Sequence, residues 1–466
     1  MSAVSTFGSV MPASTRPAAP LPRPRTPSFL EAYLAMRHNP ITALSERAYE
    51  EPIIDLIRPG RALLVSDPDM IERVLVQNAA NYRKSPQQQR RLRPALADGL
   101  LTAEGDIWRS TRRITAPLFS PGAVGLVLED MQVATEAMRD RWEARGDDPA
   151  PLDLTAEFQR LTYEIVSRTV FSGALDADRA AIHANMAIYF DTLGRIDLAS
   201  LLDLPEWWPT LGKLRGARSL KVFRDIVDST VASRLSEPQR EGNDLLDQLF
   251  HASDPKTGLT LDKAAVADNV LTFLAAGHET TGNALAWIFY LLALHPEAQD
   301  QVRAELAETV GDGPVERDHL DRLDFTRAVI NETLRLYPPV PFMAREAIEA
   351  DDLNGQEVRK GMQVVISPWV VHRHRMLWDA PDVFRPERFL GEEGRSIARG
   401  AFLPFGLGPR ICIGQRFAVQ EILTVMARIL PAFRYELADP GSVFPQARIT
   451  LTPKDGLPAF VRPVRG

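Results

Sequence analysis

The scarcest side chain in the sequence is cysteine: Cys412 is the only one in 466 residues. A lone thiol cannot close an intrachain disulfide, nor can it supply the paired cysteines of a structural zinc site. Cys412 is therefore an inert buried side chain, a nucleophile or a single metal ligand. Long apolar runs are also lacking. The longest clear one, Ala284 to Leu294, falls short of the roughly 18 residues a membrane-spanning helix needs, so no transmembrane anchor is expected. Positive charge is not in excess: 54 Lys and Arg stand against 61 Asp and Glu, a formal charge of -7 that argues against nucleic acid as a partner. His278-Glu279-Thr280-Thr281-Gly282 opens like the zinc-protease pattern H-E-x-x-H but has Gly in place of the second histidine. Gly406-Leu407-Gly408 opens like a dinucleotide fingerprint, yet Pro409 follows and the third Gly is missing. With no G-x-S-x-G elbow and no Walker sequence, serine hydrolysis and hydride transfer from bound NAD have little support. The ordinary composition, 45% hydrophobic and 25% charged, and the near absence of cysteine fit a globular protein of a reducing compartment, expected to be the cytoplasm. Residues 1–27 are rich in Pro, Ser and Ala with Arg16, Arg23 and Arg25 interspersed. They lack the apolar core of a secretory signal and read as a flexible tail ahead of one domain, 28–466.

What is present concentrates around the thiol. In Phe405-Gly-Leu-Gly408-Pro-Arg410-Ile-Cys412-Ile-Gly414, Gly408 and Gly414 mark places where the backbone turns tightly or approaches something flat. The apolar spacing of Ile413, Phe417, Ala418, Ile422 and Val425 predicts a helix beginning just after Cys412. Its unpaired amides and dipole favour a thiolate, and Arg410 adds a nearby cation. The pattern F-x-x-G-x-R-x-C-x-G resembles the heme-binding loop of the cytochrome P-450 family of heme-thiolate monooxygenases, soluble bacterial type.

Three further motifs of that family stand in the family's order. Ala276-Gly277-His278-Glu279-Thr280-Thr281 lies in an apolar segment from about Asp262 to Leu294. An acid and a hydroxyl among Leu271, Phe273, Leu274, Leu285, Trp287 and Ile288 need partners, because an unpaired buried polar group costs ~1 to 3 kcal/mol. A helical threonine commonly bonds back to the carbonyl of the preceding turn. The resemblance implies instead the helix that crosses the heme: Thr280 holds dioxygen and its water, Glu279 relays protons, and Ala276 and Gly277 lie beside the cofactor, Gly277 leaving room for the ligand. Thr281 and His278 are expected to be structural. Glu332 and Arg335 share one helix face, where a surface pair is worth only ~0.2 to 0.5 kcal/mol. The resemblance joins them to Arg388 of Pro386-Glu387-Arg388-Phe389 as a structural triad that locks the loop carrying the cysteine. Trp108 and Arg112 lie four apart on a predicted helix. The resemblance makes them partners of a heme propionate, together with Arg345 and Arg410.

The fold implied is mainly α with a small β region, a single-domain triangular prism of helices enclosing the heme. Strand-like stretches are few: Ile53 to Ile57, a Pro59-Gly60 turn, Ala62 to Val65, Gln363 to Ser367, and short pieces near Ile449 and Phe460. The chemistry implied is insertion of one oxygen atom from dioxygen into a C–H bond or alkene of a hydrophobic small molecule. Cys412 ligates the iron of heme b (iron protoporphyrin IX), with Phe405, Gly408 and Gly414 around it. Electrons come ultimately from NAD(P)H through a separate ferredoxin or flavodoxin with its reductase, docking by Arg416 and, in part, Arg109 and Arg113. The substrate pocket is expected to draw on Leu274, Ala275, Val340, Phe342 and Ile449. The polar cluster Gln87 to Arg93 either meets a carboxylate or faces water. Two other readings stay open: a peroxide-using or isomerising heme-thiolate enzyme, against which the Glu279–Thr280 pair argues, and a noncatalytic heme-binding sensor or carrier.

Overall fold

A computed structural model describes residues 16–56, 61–146, 148–172, 211–236 and 244–464, with Asn185 alone between them. The long apolar segment folds as one helix, Lys263–Leu294, whose start is capped by the Asp262 side chain accepting from the amide of Ala265. Nearly every side of this helix is buried, as a helix at the centre of a domain requires. Helix Leu154–Phe171 runs against it so closely that a Cβ on Gly282 would lie 2.9 Å from Cα of Gln159. Aromatic rings fill the space around its C-terminal half. Trp287 stacks on Tyr337 with centroids 3.9 Å apart, and Phe289 meets Phe158 at 4.6 Å. Its N-terminal half packs Val266, Val270 and Leu271 against a second apolar group that includes Phe171 and Val227.

The larger sheet lies in a third apolar group. Its five strands run in the order Ile53–Asp55, Ala62–Val65, Gln363–Ile366, Met343–Ala347 and Tyr82–Lys84. All pairs are antiparallel except Ala62–Val65 with Gln363–Ile366, where Leu63 faces Val364. Two short strands near the C-terminus, Pro445–Ala447 and Leu451–Pro453, form a hairpin whose turn carries Ile449 and Thr450. The expected mainly helical domain with a small β region is thus what folds. The first strand stops at Asp55; Ile57 and the Pro59-Gly60 turn lie outside the described residues.

Residues 16–27 do not hang free of the domain: the Ala18 amide donates to Tyr290 Oη at 3.2 Å, Tyr337 Oη donates to the Ala18 carbonyl at 2.9 Å, and Arg23 pairs with Ser45. Proline-rich composition removes helical and strand periodicity, so a segment held by its backbone and by ring hydroxyls looks like a tail. No helix among the described residues is long and apolar enough to cross a membrane.

Candidate active site

A cavity of about 900 Å³ opens between the central helix and the thiol loop. The loop brings Phe405, Gly406, Arg410, Cys412 and Gly414 to its wall, and the helix contributes Phe273, Ala275, Ala276, Gly277, Glu279 and Thr280. Inside the loop the Cys412 amide donates to the Phe405 carbonyl at 2.9 Å and the Ile411 amide to Gly408 at 3.0 Å. Gly408 has φ +75°, and a Cβ there would come within 1.9 Å of the Leu75 carbonyl oxygen. It serves the tight path of the loop against the neighbouring backbone and is not among the residues lining the cavity. Gly414 has an ordinary φ of -86° and caps the following helix, Gln415–Ala432. Nothing lies within 4 Å of the place its Cβ would take, so the wall stays open there.

Cys412 is exposed to the cavity and yet lies deep in the protein. Burial pushes its thiol up, while an amide hydrogen bond from Gly414 and the charge of Arg112 pull it back. The helix starts just after the thiol, at Gln415 with Gly414 as its cap, and its first amide does favour the thiolate, but burial outweighs that preference. Metal coordination is what would take the proton.

On the central helix Thr280 Oγ1 donates to the Ala276 carbonyl at 2.6 Å, the bond back to the preceding turn. Glu279 Oε1 accepts from Thr450 Oγ1 at 2.8 Å, and Oε2 is enclosed with no hydrogen-bond partner. Burial pushes this carboxyl up to about 7, against the lowering effect of Thr450. A Cβ on Gly277 would stand 3.2 Å from Val166 Cγ2, so the missing side chain admits helix Leu154–Phe171 as well as bordering the cavity. His278 is buried edge-on to Tyr163, and Thr281 is buried close to Glu421.

The Glu332 triad forms. Arg335 Nε and Nη2 donate to the two Glu332 oxygens at 2.6 and 2.8 Å, and Arg388 Nε donates at 3.1 Å, all three side chains buried. Its link to the thiol loop runs through His372. Arg335 Nη1 donates to the His372 carbonyl at 2.7 Å, and the His372 ring accepts the Leu403 amide at 2.8 Å. Burial and the guanidinium groups of Arg335 and Arg373 depress His372 to about 3, which keeps that ring nitrogen free to accept.

Trp108, Arg112, Arg345 and Arg410 gather at the cavity, and Lys84 joins them. The Arg410 guanidinium lies 4.2 Å from the Trp108 ring centroid and pairs with Glu104. Arg345 donates to the carbonyl of its neighbour Ala344. Burial, together with the charge of Arg410, depresses Arg345 to about 10 and Lys84 to about 7. Burial also lowers Arg112. Arg410 weakens Arg345 and Lys84, with Glu104 opposing it, and such crowded cations are matched by added anions.

The apolar wall differs from the sequence expectation at two positions. Ala275, Val340 and Ile449 line the cavity, whereas Leu274 lies in the second core group and Phe342 packs on the first. Helical phase turns Leu274 away from the face of Ala276 and Thr280, and Phe342 lies just before the strand Met343–Ala347, packed on the first core group. The polar cluster mostly has protein partners: Gln87 accepts from Ser85 at 2.7 Å, Gln89 donates to Thr102 at 2.8 Å and Arg93 pairs with Asp98 at 2.8 Å. Only Gln88 of the four residues Gln87, Gln88, Gln89 and Arg93 reaches the cavity. Of the docking cations, Arg109 pairs with Asp106 at 2.7 Å and Arg113 with the buried Asp254 at 2.7 Å, while Arg416 is exposed.

A lone thiol on the wall, an open surface beside Gly414 and surplus cations fit an iron porphyrin with its carboxylate side chains, and the acid–threonine pair defines the site as that of a heme-thiolate oxygenase. The chain belongs to the cytochrome P450 family, whose model matches residues 19–458. It is 30% identical to cyclooctatin synthase of Streptomyces melanosporofaciens over 423 residues, 90% of each chain. It is 32% identical over 438 residues to cyclooctat-9-en-7-ol 5-monooxygenase of the same organism, covering 92% of this chain and 93% of that one. Mouse (Mus musculus) cytochrome P450 4A10 is 32% identical over 421 residues, 85% of this chain and 80% of its own. The protein is a cytochrome P450 monooxygenase, an oxidoreductase of a family that uses heme and dioxygen.

Proposed function

We propose that this chain binds heme b through Cys412 and inserts one oxygen atom into a C–H bond or alkene of a hydrophobic small molecule, in the cytoplasm. The observation that carries the reading is one cavity of about 900 Å³ lined by the only thiol, the Glu279–Thr280 pair and the cations. When bound, the heme supplies the oxygen-activating redox chemistry. The side chains bind, orient and move protons. Cys412 surrenders its proton on coordination, favoured by Arg112 and the Gly414 amide. Lys84, Arg112, Arg345 and Arg410 would hold the heme carboxylates, with Trp108 stacked beneath Arg410. Glu279, near 7, can hold or release a proton at neutral pH. Thr280 donates its one hydroxyl hydrogen bond to the Ala276 carbonyl, so its oxygen is left to accept a hydrogen bond from water or a ligand hydroxyl. Leu96, Leu100, Phe119, Ala275, Val340 and Ile449 exclude water and suit an apolar substrate. The relative named for cyclooctat-9-en-7-ol, an alkenol by that name, supports the same class.

The test is an absorbance difference spectrum of the heme-loaded, dithionite-reduced protein with and without carbon monoxide. A far-red Soret band that disappears in Cys412→Ala is expected. Folded, heme-loaded wild type without that band would overturn the reading.

Electrons are proposed to pass from NAD(P)H through a separate ferredoxin or flavodoxin with its reductase. Arg416 and Arg109 are both exposed, Arg109 in a surface pair with the exposed Asp106, whereas Arg113 is half-buried on the buried Asp254, so Arg416 is the docking cation chosen for the test. Arg416→Glu is expected to slow reduction by an acidic ferredoxin about threefold or more at low salt, with the difference shrinking as salt rises. Stopped-flow reduction rates indifferent to both the substitution and the salt would remove Arg416 from the docking surface.

A further inference from the structure

We propose that Thr450 is a positioning residue for Glu279, and that a hydrogen-bonded chain from Gln159 through Asn283 and Thr450 fixes Oε2 as the carboxyl oxygen that carries the exchangeable proton. This rests on the reading of Glu279 as the group that moves protons. Gln159 Nε2 donates to Asn283 Oδ1 at 2.9 Å, Asn283 Nδ2 donates to Thr450 Oγ1 at 3.3 Å, and Thr450 Oγ1 donates to Glu279 Oε1 at 2.8 Å. The close approach of the two helices at Gly282 brings the Gln159 and Asn283 amides together. The hairpin turn is pinned beside them: the Leu451 amide donates to the Pro339 carbonyl at 2.9 Å, and Trp287 Nε1 donates to the Leu451 carbonyl at 3.1 Å. Thr450, Asn283 and Trp287 are all buried.

The direction of the chain follows from donor inventories. An ionised carboxylate only accepts, so Thr450 must spend its single proton on Oε1 and take its own hydrogen bond from Asn283. When Glu279 binds a proton, Oε1 is already accepting and the proton goes to Oε2, the enclosed oxygen with no partner. Both protonation states then keep the same heavy-atom arrangement. The acid needs no rotation between taking up a proton and giving it away, and its orientation is set before the reaction starts.

The test is infrared difference spectroscopy of the heme-loaded protein, with the protonated Glu279 carbonyl band assigned by its loss in Glu279→Gln. Thr450→Val, or Thr450→Ala should the first not fold, removes the donor to Oε1 and is expected to shift that band to higher wavenumber. Thr450→Ser keeps the hydroxyl and is expected to bring the band back towards its wild-type position. An unmoved band in both the Val and Ala variants overturns the proposal. So does the absence of any protonated-carboxyl band lost in Glu279→Gln, since Oε2 then carries no proton. A second readout is oxygen consumption with NADPH and a plant-type ferredoxin and its reductase as surrogate electron source. If Glu279→Gln leaves that rate unchanged, the proton-carrying reading of Glu279 falls, whereas the band shift alone judges whether Thr450 orients it.

Discussion

Glu332→Ala is expected to lower the stability of the protein by about 3–5 kcal/mol, the effect of leaving buried charge without its partner. The Glu332 carboxylate accepts two bonds from Arg335, one from Arg388 and one from the Arg385 amide at 2.8 Å, and no part of it reaches solvent. Removing it strands two guanidiniums that are 0% and 2% exposed in their side chains. Domains are commonly stable by only about 5–15 kcal/mol, so a large share of the total is at stake. The damage is also directed. Arg335 holds His372, and the His372 ring holds the Leu403 amide at the entrance to the thiol loop. Loss of the far-red carbon monoxide band at denaturant concentrations that leave wild type intact is the expected accompaniment. Urea unfolding within 1 kcal/mol of wild type would mean that the triad adds little to the fold.

The parts of this site that the sequence makes legible are those carried within one element. Cys412 with its flanking glycines, the acid and threonine of the central helix, and Glu332 with Arg335 each lie within one loop or a few helical turns, where spacing alone says which groups meet. Partners brought in by topology are silent. Thr450 reaches Glu279 from a hairpin 171 residues away, and Lys84 reaches the loop of Leu100 and Ala103 from an edge strand of the sheet. His372 had no motif to mark it, because its use comes from the Arg335 side chain on its carbonyl and the Leu403 amide on its ring, two partners distant in sequence. Gly408 is identified by its motif, but the reason for it, the Leu75 carbonyl, is not local. Leu274 and Phe342 fail differently. Both are apolar and adjacent to wall residues, and composition can tell neither the phase of a helix buried on nearly every side nor which way an apolar residue ahead of a strand packs.

Glu279→Gln is expected to cost about 10²-fold or more in turnover while changing how stability depends on pH. The rate loss follows from removing a proton donor and acceptor whose pKa lies close to neutral, where general acid–base groups are most effective. The stability effect has a definite sign. In the unfolded chain a glutamate ionises near 4.5, whereas burial holds the proton of folded Glu279 until about 7. Between these values the unfolded state releases a proton that the folded state keeps, so the stability of wild type falls as pH rises, by about 3 kcal/mol across the window, and levels off above it. Glutamine does not titrate and loses that slope. It still accepts from Thr450 at the position of Oε1, and its amide nitrogen takes the enclosed place of Oε2, a pH-independent cost of roughly 1–3 kcal/mol for an unpaired donor. Denaturant titrations of both proteins from pH 4.5 to 8 should therefore give curves whose difference moves in favour of glutamine up to about pH 7 and is flat beyond it. A constant difference across the whole range would show that Glu279 ionises in the folded protein as it does in water, and the enclosure that makes it a proton carrier would be wrong. A loss of turnover together with a gain of stability on the alkaline side would show that the fold maintains a destabilising buried acid at the place where the chemistry uses it.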